Sequence, residues 1–260
     1  LMESFQQTIG MSSPKPYSKW NCLYAIQLAA LATVLVWTIF DPQFESLAEA
    51  LRRGSDSPIA ALQSAKVMFG AWRLALFVVV IALAGVSLVG LFLAMLKGTA
   101  ASRPVRSLRS LLMLTAVVAL WCGLASNHAS LAWQGKRLRL VARVAELETI
   151  ARPLRSDWPK EDGELPQIGP FMAYPFGEPT TMILLAPPTV SGGEICIAAI
   201  ERCDDGAIKL QLGGSKAADW VEWHPESSEP ESFVGGLQDS HHLRSHLRLG
   251  SGWFLVRYDA

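Results

Sequence analysis

Residues 74–96 read LALFVVVIALAGVSLVGLFLAML, 23 positions without a charge, bracketed by Arg73 and Lys97. A run of that length and composition predicts a transmembrane helix, and the two flanking cations can snorkel toward lipid headgroups. The reading extends outward from there. Residues 22–40, CLYAIQLAALATVLVWTIF, hold 19 positions without a charge, and Gln27 is the most polar of them. A helix of that run is ~28 Å long, close to the hydrocarbon thickness of a bilayer. Residues 111–126, LLMLTAVVALWCGLAS, form a third and shorter run, which neighbouring residues extend to 109–127. Trp20, Trp37, Trp72 and Trp133 fall near the expected edges, where amphipathic rings favour the interface.

The first run exceeds the usual h-region of a signal peptide. Ala48-Glu49-Ala50 resembles a cleavage site but lies ten residues past the run, so an uncleaved anchor is expected. No Asp, Glu, Lys, Arg or His interrupts the three runs, which argues against a pump or channel working alone.

The chain has equal numbers of basic and acidic residues, but that balance sums unlike regions. Residues 128–260 hold 13 Lys+Arg and 18 Asp+Glu, a net of −5, whereas residues 97–109 carry Lys97, Arg103, Arg106 and Arg109 and no acid. No broad basic face invites nucleic acid. Basic loops mark the cytoplasmic side, so 97–109 is expected inside, with the N-terminus inside and everything after residue 127 outside. Lys136, Arg137, Arg139 and Arg143 count against that orientation.

Beyond the third run, Leu140, Val144, Leu147, Ala151 and Leu154 repeat at 4-3-4-3 spacing, the stripe of an amphipathic helix that Pro153 should end. The stripe spans about two heptads, short for a coiled-coil seam, so packing on its own domain is expected over a dimer contact. Residues 155–180 are rich in Pro, Gly, Asp and Glu and read as a linker. Strand-like runs follow at Thr181–Ala186, Glu194–Glu201, Ala207–Leu212, Trp220–Trp223, His242–Leu249 and Trp253–Tyr258. Asp205-Gly206 and Gly250-Ser251-Gly252 are hairpin signals between them.

The expected fold class is therefore an α+β membrane protein: three transmembrane helices, a helical connector and a small antiparallel β-rich soluble domain, a sandwich or barrel. The expected organisation is a tail at 1–21, a transmembrane region at 22–127 with spans 22–40, 74–96 and 109–127, a connector at 128–154, a linker at 155–180 and the β-rich domain at 181–260.

Candidate sites are sparse. Nucleophile-elbow, P-loop and dinucleotide patterns are absent, and no cofactor is expected. Cys196 and Cys203 could form a disulfide in an oxidising compartment, but only if the chain turns between them. His241, His242 and His246 are the candidate metal ligands, His242 and His246 sharing a face on a regular strand. They lack the Glu of a zincin motif. Trp220, Trp223, Phe233 and Trp253 are either a docking face or core, and large aromatics favour core.

The leading functional expectation is a membrane-anchored, non-enzymatic protein in a plasma membrane. Its extracytoplasmic β-domain docks a protein partner. A metal-dependent hydrolase, or a sensor signalling through a separate partner, are the alternatives.

Overall fold

The computed structural model describes residues 19–44, 47, 66–67, 70–97, 108–190, 195–213, 218–226 and 228–259. Residues 1–18 of the expected tail, most of the 41–73 loop, and Arg103 and Arg106 lie outside the described residues, as do Ser191-Gly192-Gly193 and Gly214. The chain divides into two compact units, residues 1–37 with 57–127, and residues 38–56 with 128–260.

Among the described residues, the long helices of the first unit are most of α1 (Lys19–Phe40), α2 (Ala71–Lys97) and the first part of α3 (Leu108–Val141). Within them Asn21–Phe40, Ala71–Leu93 and Ser110–Val141 are long and apolar enough to cross a membrane. Ala30, Leu31, Val34, Leu74, Ala84, Leu91 and Val117 are buried, while Leu28, Val36, Val79, Leu83, Val86, Phe92, Leu112 and Leu120 are exposed. Gln27 is fully buried and ties the three helices together. Its Nε2 donates to Ala84 O at 2.6 Å and Ser87 Oγ at 2.7 Å, and its Oε1 accepts from Trp121 Nε1 at 2.8 Å. This buried amide thus has its donors and acceptor satisfied, the condition for burying it among apolar helices.

Among its described residues, the second unit contains the end of α3, a helix α4 (Val144–Ser156) and ten strands. The expected single connector helix is corrected. Residues 128–141 continue α3, and the chain breaks before α4 at Arg143, whose φ of −117° and ψ of 7° leave the helical basin. Helix α4 then runs three residues beyond Pro153, which removes the hydrogen bond to Thr149 O without ending the helix. The four cations counted against the topology have partners in this unit. Lys136 pairs with Asp219 at 2.6 Å, Arg137 donates to Arg248 O at 3.1 Å, Arg139 to Ile39 O at 2.5 Å, and Arg143 to Glu146 at 2.7 Å. Gly135 allows the close approach here: a Cβ would lie 2.1 Å from Ile39 O.

The strands are β1 (Gly163–Leu165), β2 (Gly169–Tyr174), β3 (Thr181–Leu184), β4 (Thr189–Val190), β5 (Ile195–Arg202), β6 (Ile208–Gly213), β7 (Ala218–Trp223), β8 (Phe233–Val234), β9 (Ser240–Gly250) and β10 (Trp253–Asp259). They form one antiparallel sheet in the order β1-β2-β3-β5-β6-β7-β10-β9-β8, with β4 paired to β5. The sandwich-or-barrel expectation is corrected accordingly. Its end strands β1 and β8 do not pair with each other, so the sheet is open, and helix α4 takes the place of a second sheet on one face. The linker at 155–180 is also corrected: it contains the end of α4, β1 and β2. Phe171 and Ala173 of β2 are buried while Met172 between them is exposed, a strand alternation that the surrounding Pro and Gly obscure.

Both expected hairpins are present. Gly206, at φ 85°, turns β5 into β6, and Gly250 and Gly252, at φ 111° and 80°, turn β9 into β10. The stripe Leu140, Leu147, Ala151 and Leu154 is buried with Ile150, in one cluster with Met182, Ile200, Leu210, Val221 and Leu255. Val144 packs partly against it. This apolar face is the core of the unit.

Candidate functional site

The opposite face of the same sheet is built differently. Strand pairing sets Thr181 opposite Glu201, Glu201 opposite Lys209, Lys209 opposite Glu222, and Glu222 opposite Phe254. One row of residues across five strands therefore carries two carboxylates and an amine. Each of these residues is flanked along its strand by apolar neighbours that point to the α4 side, as strand alternation requires: Ile200 beside Glu201, Ile208 and Leu210 beside Lys209, Val221 and Trp223 beside Glu222. The row is buried, with Lys209 2% and Glu222 0% exposed, which demands partners for both charges.

The partners form a continuous network. Lys209 Nζ donates to Tyr258 Oη at 3.2 Å and stands 3.6 Å from Glu222 Oε2. Tyr258 Oη donates to Glu222 Oε1 at 2.6 Å, and Glu222 Oε2 is 2.8 Å from His224 Nε2. His224 Nδ1 is 2.9 Å from Ser228 Oγ, which in turn donates to Asp205, a residue at the surface. Lys209 also lies 3.7 Å from the centre of the Phe233 ring. Hydrogen bonds in such a chain polarise one another, and this one runs from the interior to the exposed carboxylate.

The environment shifts the titrating groups. Burial pushes the Glu201 carboxyl up to about 7, with nearby Asp239 adding to the rise and Lys209 opposing it. Burial pushes the Cys203 thiol up to about 11, so it is no nucleophile near neutral pH. The Tyr258 phenol is also raised, by burial first and by Glu222 second.

A cavity of about 480 Å³ opens on this face, lined among others by Glu201, Lys209, His224, Glu231 and Phe233. Its far wall is the segment 231–236, which contains β8, so the sheet supplies one side and a short hairpin arm the other. Beside it lies a second grouping, in which ligand atoms of Glu201, Asp239 and His241 all fall within 4.8 Å of one another.

The structure distributes the sequence-derived candidates unevenly. His241 is buried, whereas His242 and His246 are exposed, and His246 packs on the Phe254 ring at 6.0 Å. The three candidate histidines are not brought together. A bulge explains it: the β9–β10 register shifts between Arg257 and Tyr258, leaving Arg244 as the extra residue and reversing side-chain parity along β9. His241 thereby joins the polar face, against the Trp220, Phe233 and Tyr258 rings. The four docking aromatics do not share one face either. Trp223 and Trp253 belong to the α4 side, Trp220 and Phe233 to the polar side, and Trp220 and Trp253 are fully buried. Cys196 and Cys203 are free and sit at opposite ends of β5, which does not turn between them, so the bridge is corrected to two thiols.

Glu201, Lys209, Glu222 and Tyr258 escaped the sequence reading. The signal for the first two was present. The Asp205-Gly206 hairpin sets Glu201 directly opposite Lys209, and a lone charge between apolar strand neighbours asks for such a partner. No family model, no curated protein and no solved structure compared with the chain matches it.

Proposed function

We propose that this chain is a membrane-anchored binding protein: its three span-length helices hold it in a lipid bilayer, and its sheet domain takes a small polar ligand in the cavity lined by Glu201, Lys209 and His224. The observation that carries the binding half is the buried row of Glu201, Lys209 and Glu222 at the wall of a 480 Å³ cavity. A face needed only for stability gains little from buried charges, since apolar residues of similar volume do as well or better. Charged groups held in fixed geometry beside a cavity are what orients a polar ligand. The anchoring half is supported by the exposed Leu, Val and Phe side chains of α1, α2 and α3, which in water would form a large apolar surface.

The orientation we propose keeps the N-terminus in the cytoplasm and the sheet domain outside a plasma membrane. The partners found for Lys136, Arg137, Arg139 and Arg143 support it, because each cation has a structural reason to be where it is. A second reading, docking of a protein partner by the sheet domain, is favoured by Met172, Phe176 and Leu185, large apolar side chains left exposed in and beside β2 and β3.

Native mass spectrometry of the full chain, released from nanodiscs, tests the binding proposal. A co-purifying small molecule is expected on the wild type and absent from Val234→Trp, since Val234 is exposed at the cavity and a larger ring there narrows it. A wild-type chain that carries no small molecule, and whose melting does not respond to a panel of small amines and carboxylates, would sink it. Carbonate extraction tests the anchoring: release of the chain into the supernatant contradicts it.

A further inference from the structure

We infer that Glu201, Asp239 and His241 form a binding site for one divalent first-row transition-metal ion at the edge of the cavity. The inference goes beyond the ligand-binding proposal and shares only Glu201 with it.

Three elements bring the donors together. Glu201 ends β5, His241 follows the start of β9, and Asp239 closes the turn that joins β8 to β9. The turn is tight. Gly235 N–H donates to Asp239 O at 2.8 Å, Gln238 N–H donates to Gly235 O at 2.9 Å, and Gln238 takes φ 64°. Asp239 and His241 are two residues apart along the strand, so they reach the same side, and strand pairing puts His241 opposite Phe233. The loop backbone fits close around the carboxylates: a Cβ on Gly235 would stand 2.5 Å from Asp239 Oδ1 and 3.0 Å from Glu201 Oε1.

An observation independent of this clustering points to a ligand. His241 is 94% buried, yet neither of its ring nitrogens makes an aligned hydrogen bond. Nε2 is 2.8 Å from Asp239 Oδ2, near enough for an ion pair but off the line of a hydrogen bond. A buried imidazole normally has both nitrogens satisfied. Here the ring is held by aromatic packing, with Phe233 stacked at 4.7 Å and Trp220 edge-on at 5.3 Å, while one of its nitrogens lies within 4.8 Å of oxygens of both carboxylates. A cation between the three groups would bridge the two carboxylates and give the His241 ring the partner it lacks.

The donor set selects the ion. One imidazole and two carboxylates suit Zn²⁺, Mn²⁺ or Fe²⁺, whereas the all-oxygen sites of Ca²⁺ and Mg²⁺ do not use imidazole, and no thiolate is present for Cu⁺. Metal–ligand bonds of about 2.0–2.2 Å require the donors, now within 4.8 Å of one another, to draw in by roughly 1 Å. The side chain of Asp239, half exposed, has room to make that movement.

The test uses the untagged full chain in nanodiscs, stripped with chelator and titrated with Zn²⁺ by calorimetry, with bound metal counted after dialysis. One equivalent per chain is expected for the wild type, with no response to Mg²⁺ or Ca²⁺. Asp239→Asn and His241→Ala are expected to lose it. His242→Ala and His246→Ala, which remove exposed imidazoles outside the cluster, are expected to keep it. Asp239→Asn changes a half-exposed group and serves where His241→Ala fails to fold. A wild type that binds less than half an equivalent, or binding that survives Asp239→Asn or disappears with His242→Ala, overturns the inference. Val234→Trp leaves all three donors in place, so it separates loss of the cavity ligand from loss of the metal.

Discussion

The two faces of the ten-stranded sheet solve the burial problem in opposite ways. On the α4 face, Leu147, Ile150, Ala151 and Leu154 meet Ile200, Leu210, Val221 and Leu255, and the stabilisation is area removed from water. On the other face the same strands bury Glu201, Lys209 and Glu222, where each charge depends on the next. Contacts on the first face are non-directional and tolerate substitution by degrees. Contacts on the second are directional, and removing one partner strands the others. Fixed polar geometry of that kind does little for net stability, and the ligand site proposed above lies on this second face.

The sharpest way to break the contrast is Lys209→Met. It leaves Glu222 and Glu201 without their buried cation, and a loss of about 4 kcal/mol is expected. Urea unfolding of the full chain in mild detergent, followed by tryptophan emission, measures it. Adding Glu222→Gln to Lys209→Met should recover at least half of that loss, because the pair is then neutral and Tyr258 keeps an acceptor. A double variant no more stable than Lys209→Met would show that the row is not coupled.

On the apolar face, Leu147→Ala should cost about 3 kcal/mol through the cavity it leaves, without any rescuing partner. The same unfolding experiment reads it, and ligand and metal binding should be unchanged. In the helical unit, Gln27→Leu removes the contacts to Ala84, Ser87 and Trp121. Interhelical hydrogen bonds among apolar helices are individually modest, so a loss of about 1 kcal/mol is expected, read from thermal unfolding in detergent.

The smallest effect is chemical. A Cys203 thiol pushed up to about 11 should resist alkylation at pH 8.5, where only about 0.3% is thiolate. In a chain with the other three cysteines replaced by serine, labelling should be slow in the native state and rise by two orders of magnitude or so on unfolding. Native labelling as fast as that of the unfolded chain would mean the polar face is open to water.

Much of this was legible from local pattern. The uncharged runs around residues 74–96 and 22–40 gave helices, because span length and apolarity are properties of consecutive residues. The 4-3-4-3 stripe from Leu140 to Leu154 gave an amphipathic surface, and the structure buries it against the sheet. Asp205-Gly206 and Gly250-Ser251-Gly252 gave hairpins, since a left-handed backbone is a local demand. By contrast, β1 and β2 were hidden by Pro and Gly that belong to the turns around them.

The polar face was decided by tertiary structure. Glu222 meets Lys209 and Tyr258 only because β6, β7 and β10 are neighbours, and strand order is a long-range choice no local window encodes. The bulge at Arg244 reverses the parity on which any reading of the histidines depends, and so it turns His241 toward Glu201 and Asp239 while leaving His242 outside. The sequence alone determined the elements, because hydrophobic period and turn chemistry act within a few residues. The tertiary structure alone decided which charges share an interior, because that follows from pairing, register and one extra residue in a strand.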